Sequence, residues 1–254
     1  MLSKNQEKYV KGLHQLKNRR QSSAFFYEGH KMAMDGFNEP GLSILHIFAL
    51  ETWVDAYTKD LEDSLAQKII IISEREMKKI SALKTPSPIL VVARQPQMRE
   101  GISMNSKGLV AIYLDDIQNP GNMGTMLRLA DWFGVGQVIA SPNSVDYFNP
   151  KVIQASMSSI FKVNMSVMDL EMLAQNKGDA KILGTAMKGV PIQKVEHKET
   201  ALILMIGNEG KGLSQKAFDL ADDVITISGH PDRKAESLNA AMAAGIICGF
   251  LTIE

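Results

Sequence analysis

The stretch LVAIYLDDIQNPGN, residues 109–122, decides the fold of the larger part of this chain. Its six apolar residues indicate a buried β-strand, and the polar residues after them form a loop that leads into a predicted helix over 122–133. Asn119-Pro120-Gly121 favours a tight turn, because proline fixes φ and glycine tolerates positive φ. A strand, a loop and a helix in this order are the repeating unit of a parallel sheet.

The same unit recurs along the rest of the chain. Further strands are predicted at 137–140, 162–165, 181–185, 201–206 and 224–227, and further helices at 169–176, 214–220 and 237–250. This alternation implies an α/β fold with a mostly parallel sheet that is covered on both faces. In such sheets ligands bind outside the carboxyl ends of the strands, so the loops at those ends are candidates for the functional site.

The first hundred residues carry a second, smaller α/β pattern. Helices are predicted at 5–18 and 74–83, and strands at 42–50, 68–72 and 88–93. A polar stretch with proline and glycine follows at 94–108 and indicates a linker. We therefore expect one domain over 1–98, a linker over 99–108 and a larger domain over 109–254.

The charges of the chain balance overall but are unevenly distributed. The 254 residues contain 28 Lys and Arg against 28 Asp and Glu, whereas residues 1–100 carry 15 basic and 12 acidic side chains, a net of +3. Within the first 20 residues a single acid, Glu7, accompanies the bases Lys4, Lys8, Lys11, Lys17, Arg19 and Arg20. Such a segment either contacts phosphate groups or is the solvated face of a helix, and charge alone leaves both interpretations open.

Cysteine content and hydropathy predict the compartment. The chain has one cysteine, Cys248, so it can form no internal disulfide, and a cysteine-based zinc site is not expected. These features favour a reducing cytoplasm. The first residues, MLSKNQEKYVKG, lack the apolar core of a signal peptide, and no run approaches the roughly 18 apolar residues that span a bilayer. A soluble cytoplasmic protein is the expectation.

The first candidate loop is DDIQNPGN, residues 115–122, at the end of the quoted strand. Asn122 stands at the predicted start of the helix, where it serves either as an N-cap or as a functional side chain. Arg128 lies off the apolar stripe of that helix. It is therefore either solvated, paired with Asp131 three residues later, or functional.

The second candidate loop is GNEGKGLS, residues 207–214, after the most apolar predicted strand. Its glycines allow the backbone to approach a ligand closely. The spacing does not match a P-loop, because Leu213 stands where that motif requires lysine. A dinucleotide fingerprint fails as well, since Gly134-Val135-Gly136 follows a helix and Ile139 replaces the third glycine. Glu209 is either an exposed loop residue or a group that holds a ligand or an arginine.

The third candidate loop is SGHPDRKAESLN, residues 228–239, which leads into a helix rich in alanine and glycine. Ser237 is a natural N-cap for this helix. The small side chains of the helix permit close approach of another element or another chain, although an ordinary buried helix has the same composition.

Together the three loops resemble the signature motifs of the SpoU (TrmH-type) class of the SPOUT superfamily of RNA 2′-O-ribose methyltransferases. The resemblance rests on Asn119, Asn122 and Arg128, on Gly207 to Leu213, and on Ser237 to Ile246. It covers about 109–254. The segment RQSSAFFYEG, residues 20–29, more loosely resembles the ribosomal-protein-like substrate-binding domain that often precedes this catalytic domain.

The resemblance implies properties that the residue spacing alone does not. The catalytic domain of the family contains a deep C-terminal trefoil knot that forms the pocket for S-adenosylmethionine, and members act as homodimers with the knot region at the interface. The family's active-site positions match Asn122, Arg128, Glu209, Ser237 and Asn239. Positions that cradle the cofactor, largely through backbone groups, match Gly207, Ile227 and Leu238. No metal is expected, because the sulfonium donor is already a strong electrophile.

The third motif departs from the family pattern. The usual Ile-Pro is Ile227-Ser228, and the stretch before Ser-Leu-Asn is about two residues longer, with His230, Asp232, Arg233 and Lys234. These differences concern the cofactor loop and the rim that meets RNA. Candidate RNA contacts, which bind phosphate, are Lys11, Lys17, Arg19, Arg20, Arg233 and Lys234.

The substrate is expected to be ribosomal rather than transfer RNA, by analogy with the front domain. Three alternatives are weighed against ribose methylation: a non-catalytic RNA-binding protein of the same fold, a SPOUT-fold base methyltransferase, and a nucleotide-dependent enzyme of a conventional doubly wound fold. The five matched active-site residues argue against the first. The Asn-to-Arg spacing and Ser-Leu-Asn argue against the second, and the failed P-loop and dinucleotide patterns argue against the third.

Overall fold

The computed structural model describes residues 1–58, 61–102, 107–195 and 200–252. Its strands are β1 Ala24–Glu28, β2 Ile44–Ala49, β3 Ile69–Ile71, β4 Ile89–Arg94, β5 Gly108–Asp115, β6 Gln137–Ala140, β7 Asn164–Val167, β8 Lys181–Pro191, β9 Ala201–Gly207 and β10 Asp223–Thr226. Its α-helices are α1 Lys4–Gly12, α2 Leu16–Ser22, α3 His30–Phe37, α4 Glu51–Tyr57, α5 Asp63–Ala66, α6 Glu74–Ile80, α7 Pro120–Phe133, α8 Pro150–Ser156, α9 Leu170–Asn176, α10 Gln215–Leu220 and α11 Ala240–Thr252. Within those ranges, none of the helices is both long and apolar enough to cross a membrane.

The chain divides into two compact units. The N-terminal unit comprises 1–97 and 146–161, and the C-terminal unit comprises 98–145 and 162–254. The expected domain bounds differ from this division at 146–161, a segment that includes α8, which the sequence did not predict. Two ring contacts hold the segment to β1: the ring centroids of Phe25 and Phe148 lie 5.0 Å apart, as do those of Tyr27 and Phe161.

The C-terminal unit is built on a six-stranded sheet of order β10-β8-β9-β5-β6-β7, in which every pair is parallel. The α/β class with a parallel sheet is thus confirmed. The central strands β5 and β9 are almost entirely buried, as continuous apolar runs require in a sheet covered on both faces. Tyr113 and Met205 pack with Leu173 of α9 and Ala217 of α10, whereas α7 and α11 pack on each other. The knot implied by the resemblance stays a prediction.

The N-terminal unit has a four-stranded mixed sheet of order β1-β4-β2-β3. Strand β4 is antiparallel to both neighbours, and β2 and β3 are parallel. Val10 of α1, Leu13 directly after that helix, and Met77 and Ile80 of α6 pack against Phe26 and Phe48 of the sheet in one apolar cluster. Both helices begin with a serine capping box, at Ser3 and at Ser73.

Several expected boundaries differ in the structure. The helix predicted at 5–18 is interrupted between α1 and α2, and the strand predicted at 181–185 continues to Pro191. The last helix begins at Ala240 instead of 237. Residues 103–106 of the predicted linker lie outside the described residues. The ends of the linker belong to the C-terminal unit: the Arg99 backbone N–H donates to Met165 O, and Gly108 is the first residue of β5.

Arg19 was wrongly predicted as an RNA contact. Its side chain is only 2% exposed, although it belongs to the basic N-terminal segment. Its Nη2 and Nε atoms donate to Asp146 Oδ2 at 2.7 and 2.9 Å, and Nη1 donates to Leu13 O at 2.9 Å. A buried guanidinium needs such partners to offset its lost hydration. Arg19 therefore ties 146–161 to the N-terminal unit and has no surface to offer a nucleic acid.

Candidate active site

The three candidate loops follow β5, β9 and β10. Since all strands of this sheet run in parallel, their carboxyl ends lie along one edge, with β9 next to β5 and β8 between β9 and β10. The sequence therefore brings three distant segments to one side of the C-terminal unit. We call them loop one (115–122), loop two (207–214) and loop three (228–239).

Asn122 lies within helix α7 and is not its N-cap. The helix begins at Pro120, and Asn119 caps it by accepting a hydrogen bond at Oδ1 from the Gly121 backbone N–H at 2.8 Å. Proline suits the first helical position because its missing N–H needs no partner there. The Asn122 side chain, only 6% exposed, is thereby left to make contacts beyond its own helix.

Asn122, Glu209 and Asn239 form one hydrogen-bonded group, which we call the frame. Asn122 Nδ2 donates to Glu209 Oε1 at 2.9 Å, and Asn239 Nδ2 donates to Asn122 Oδ1 at 3.1 Å. These bonds join residues 87 and 117 positions apart in the chain. Asn122 uses one amide N–H and its amide oxygen in these two bonds, so Glu209 and Asn239 together fix the orientation of its side chain.

Glu209 also accepts two backbone hydrogen bonds from loop one. The N–H groups of Asn119 and Gln118 donate to Oε1 and Oε2 at 3.1 and 3.3 Å. Partial burial raises the pKa of this carboxyl, but the hydrogen bonds from Asn122 and from backbone N–H groups outweigh it, so the pKa lies below its usual 4.5. The carboxylate is charged at neutral pH and clamps loop two to the start of α7.

Loop two owes its shape to Gly207 and Asn208. A Cβ atom on Gly207 would lie 2.2 Å from Gly212 C and from Leu213 N, so only glycine fits where the loop folds back on itself. Asn208 and Gly212 exchange backbone hydrogen bonds of 3.0 and 2.9 Å across the loop. Asn208 Nδ2 also donates to Asp116 O at 2.8 Å, which adds a second tie between loops one and two.

Loop three contributes Asn239 to the frame, whereas the other predicted catalytic and cofactor-binding residues of this loop, Ser237 and Leu238, are exposed. Asn239 Oδ1 accepts the backbone N–H groups of Ala241 and Met242 at 2.9 and 3.3 Å, so Asn239 caps α11 in the place expected for Ser237. The Leu238 side chain is 45% exposed. Ile227 directly follows β10 and is half-buried.

Arg128 is exposed on α7 and stands apart from the frame. It lies six residues after Asn122, about 9 Å further along the helix axis and on another face. No hydrogen bond or ion pair joins it to another residue in the described ranges. We call Arg128 and residues 228–238, all of them exposed and none of them part of the frame, the open side of the candidate site.

The remaining RNA candidates are all exposed. They are Lys11, Lys17 and Arg20 in the N-terminal unit, and Arg233 and Lys234 in loop three. Arg233 folds over its own loop: its Nη1 lies 3.4 Å from His230 O, and its Cδ would be 2.7 Å from a Cβ on Gly229.

Two further groups of residues at this edge were not predicted from the sequence. Buried Asp115 accepts the Ser214 backbone N–H at Oδ2 at 2.7 Å and closes the far end of loop two. An acid at the last position of an apolar strand is the signal that could have pointed to it. The carboxyl end of β8, 185–191, reaches the same edge, where a Cβ on Gly189 would lie 2.4 Å from Val224 O of β10.

Two family models match the chain. The model of the SpoU rRNA Methylase family matches 109–249, which includes all three loops. The model of the MRM3-like substrate binding domain matches 4–91, within the N-terminal unit.

Relatives and solved structures agree with these matches over nearly the full length. The 23S rRNA (guanosine(2553)-2′-O)-methyltransferase RlmP of Bacillus subtilis (strain 168) is 30% identical, covering 96% of this chain and 95% of the relative. A putative RNA methyltransferase of the TrmH family from Porphyromonas gingivalis is 31% identical, with a TM-score of 0.84 and 98% of each chain covered. An AdoMet-bound rRNA methyltransferase from Sinorhizobium meliloti, 23% identical, shares the fold with a TM-score of 0.85.

The chain therefore belongs to the SpoU rRNA methylase family. The resemblance inferred from the three loops and from 20–29 is confirmed. So is the class of enzyme, an S-adenosylmethionine-dependent RNA 2′-O-ribose methyltransferase. Family membership rules out the nucleotide-dependent enzyme of a doubly wound fold. The roles of individual site residues stay predictions.

Proposed function

We propose that this chain methylates the 2′-hydroxyl of one ribose in large-subunit ribosomal RNA, acting as a homodimer in the cytoplasm. RlmP, by its name an enzyme acting on 23S rRNA, supports this choice of substrate, because it aligns with both units of the chain. The free, buried thiol of Cys248 fits a reducing compartment. Transfer RNA is the second candidate among substrates.

The observation that carries the proposal is the frame. Residues from three loops are joined by direct hydrogen bonds at the sheet edge where this class of fold binds ligands. Outside the frame, Arg128 of the same helix as Asn122 offers a charged group without partners in the described chain. The hydrogen-bonded frame can hold the loops in place while exposed Arg128 remains available to contact a substrate.

The residues at this edge fit S-adenosylmethionine. Leu238 leaves an apolar side chain 45% exposed, and Ile227 is half-buried, so both offer surface that an adenine ring can cover. Gly207 brings backbone close to the strand ends without a side chain in the way. The bound cofactor supplies an electrophilic methyl group on a sulfonium, so the proposed reaction needs no metal ion.

Gly207, Ile227 and Leu238 would hold the methyl donor. The donor would supply the methyl group and keep the electron pair of the carbon–sulfur bond on its sulfur, and the ribose 2′-oxygen would form the new bond to the methyl carbon. The 2′-hydroxyl loses its proton to water or to a phosphate oxygen. Arginine remains protonated in proteins, so Arg128 acts by stabilising the developing negative charge on the 2′-oxygen. Asn122 and Glu209 orient Arg128 and the acceptor ribose, and Ser237 and Asn239 hold loop three and the substrate.

The homodimer has a candidate face on α7 and α11. Trp132 is 84% exposed, Met242 61% and Ile246 44%, on two helices that pack on each other. Large apolar side chains so exposed are typical of an interaction surface. Substituting Met242 and Ile246 by aspartate is expected to halve the molecular mass measured by light scattering, whereas a dimer unchanged in mass would exclude this face.

The proposed reaction has a direct chemical test. Labelled methyl from S-adenosylmethionine is transferred into total RNA from cells that lack the gene, and the RNA is then hydrolysed in alkali. A 2′-O-methyl group blocks cleavage, so ribose methylation yields labelled, alkali-resistant dinucleotides that are absent with Arg128→Ala. Label in mononucleotides would show base methylation instead. No label in ribosomal RNA, from folded protein that binds the donor, would refute the proposal and favour a non-catalytic RNA-binding role.

A further inference from the structure

Two helices of the N-terminal unit present rows of exposed cations side by side. On α1, Lys4, Lys8 and Lys11 are spaced i, i+4, i+7 and share one face. On α6, Arg75, Lys78 and Lys79 are spaced i, i+3, i+4 and share a face as well. All six side chains are exposed. We call this set the two-helix patch.

A single acid joins the two rows. Glu7 Oε1 accepts from Lys11 Nζ at 2.6 Å on its own helix, and Glu7 Oε2 accepts from Lys79 Nζ at 3.4 Å across the seam. The hydrogen bond from Lys11 holds the pKa of Glu7 below its usual value, so the bridge carries its negative charge at neutral pH. His14 adds a second crossing, with Nε2 3.1 Å from Ile80 O at the end of α6.

The core beneath the patch fixes the spacing of the rows. Val10 and Leu13 of the first segment and Met77 and Ile80 of α6 are all at most 1% exposed and belong to one cluster. The Leu2 backbone N–H also donates to Glu76 Oε1 at 2.9 Å. The cations are thus mounted on packed helices, and a partner need not order the backbone that carries them.

The local charge differs from that of the chain as a whole. The patch has six cations, and the acids on the same two helices are Glu7, Glu74 and Glu76, which leaves a net of +3 in a chain of net charge zero. Glu76 is turned toward Ser73 and Leu2, with its pKa lowered to about 2 by their backbone hydrogen bonds. The excess positive charge therefore faces solvent.

We infer that the two-helix patch binds the phosphate backbone of the RNA substrate without reading its sequence. The inference rests on the proposed function and assigns to α1 and α6 a docking surface remote in sequence from the methyl-transfer loops. The first and last lysines of α1 lie about 10 Å apart along its axis, a span over which an RNA strand presents several phosphates. The patch differs from the predicted basic segment, because Arg19 is buried and α6 supplies half of the cations.

The test compares binding of the full-length protein to an in-vitro transcript of large-subunit ribosomal RNA between 50 and 300 mM KCl. Variants are Lys8→Gln, Lys78→Gln and the double variant. The control is Lys216→Gln on α10 of the other unit, whose side chain is 78% exposed. Neither patch lysine has a hydrogen bond or ion pair in the described part of the chain, so folding is expected to be unaffected. Thermal unfolding checks this.

Each patch substitution is expected to lower the slope of log affinity against log salt by about 0.7–0.9, and the double variant by about twice that. The double variant should bind about tenfold more weakly near 100 mM KCl, and equally so for small-subunit RNA, since phosphate contacts carry no sequence information. In methyl transfer, KM for RNA should rise while kcat at saturating RNA stays unchanged.

An unchanged slope in the double variant, or an equal loss with Lys216→Gln, would overturn the inference, as would a wild-type affinity independent of salt. Patch-dependent binding without any methyl transfer would refute the proposed function and leave the patch standing. Binding of the patch to anionic lipid vesicles, with RNA affinity unaffected by the substitutions, would assign it to a membrane surface and refute the RNA inference.

Discussion

Asn122 and Arg128 lie on the same helix, six residues apart, yet their surroundings in the free protein are opposite. Asn122 is buried and bonded to Glu209 and Asn239, whereas Arg128 is exposed and makes no hydrogen bond in the described chain. Both match family active-site positions. We propose that the predicted site residues serve two purposes: the frame holds loops together before substrate arrives, and the open side makes its contacts in the complex.

The largest expected effect separates activity from stability on the open side. Arg128→Ala should lower the single-turnover rate of methyl transfer about 10²–10³-fold, because a charge that stabilises the transition state is removed. Its free energy of unfolding should stay within about 0.5 kcal/mol of the wild type, as for an exposed side chain without partners.

Arg128→Lys sharpens this prediction, since lysine keeps the charge and loses the planar fork of donors. A rate between those of the wild type and Arg128→Ala is expected. A rate close to that of the wild type would show that charge alone suffices and that arginine's geometry has no role.

On the frame, stability and activity should fall together. Glu209→Ala leaves the buried Asn122 amide and two backbone N–H groups of loop one without an acceptor. The free energy of unfolding, measured in urea, should fall by about 1–2 kcal/mol, because water replaces only part of these hydrogen bonds. Glu209→Gln, which keeps one oxygen acceptor, should lose less. Equal stability of Glu209→Ala and the wild type would contradict the existence of the frame in solution.

Loop three contains one residue of the frame, Asn239, and one residue of the open side, Ser237, which can be compared directly. Asn239→Ala removes both the α11 cap and the link to Asn122, so a loss of about 1 kcal/mol is expected in the free energy of unfolding. Ser237→Ala, two residues earlier on the open side, should leave stability unchanged. If thermal unfolding ranks the two variants in the reverse order, Ser237 and not Asn239 is the cap in solution.

The smallest expected effect concerns pH. Because the pKa of Glu209 is lower in the folded protein than its usual 4.5, its carboxylate contributes stability above that pH and loses the contribution as pH falls through the folded pKa. The difference in unfolding free energy between wild type and Glu209→Gln should therefore shrink below pH 4.5. This difference between the two proteins should stay under about 1 kcal/mol at every pH, since the Glu209 side chain is exposed. A difference that grows with acidity would have the wrong sign.

Much of the site could be predicted because the rules involved are local. Alternating strands and helices gave a parallel sheet, and the carboxyl ends of parallel strands meet at one edge, which placed Asn122, Glu209 and Asn239 on the same side. Their direct bonding could not be foreseen, since it depends on the conformation of loop two. The failure at Ser237 has a similar cause: two polar residues compete to cap α11, and only the path of loop three decides between them.

The N-terminal unit shows where local rules fail. Arg19 looks like its basic neighbours in sequence, but its burial depends on Asp146, 127 residues away. Residues 146–161 carry no composition that assigns them to either unit, and their place follows from ring contacts with Phe25 and Tyr27. Likewise, the pairing of α1 with α6 across Glu7 and Lys79 joins charges that are 72 positions apart.

A double-mutant cycle on Asn122 and Glu209 tests whether the frame is assembled in the free protein. Free energies of unfolding are measured for Asn122→Ala, Glu209→Ala and the double variant, without RNA or methyl donor. If the frame is assembled, the double variant loses less free energy of unfolding than the sum of the two single losses, with a coupling of about 1 kcal/mol. Strictly additive losses would show that the two side chains do not interact before substrate binds, and would exclude a frame in the free protein.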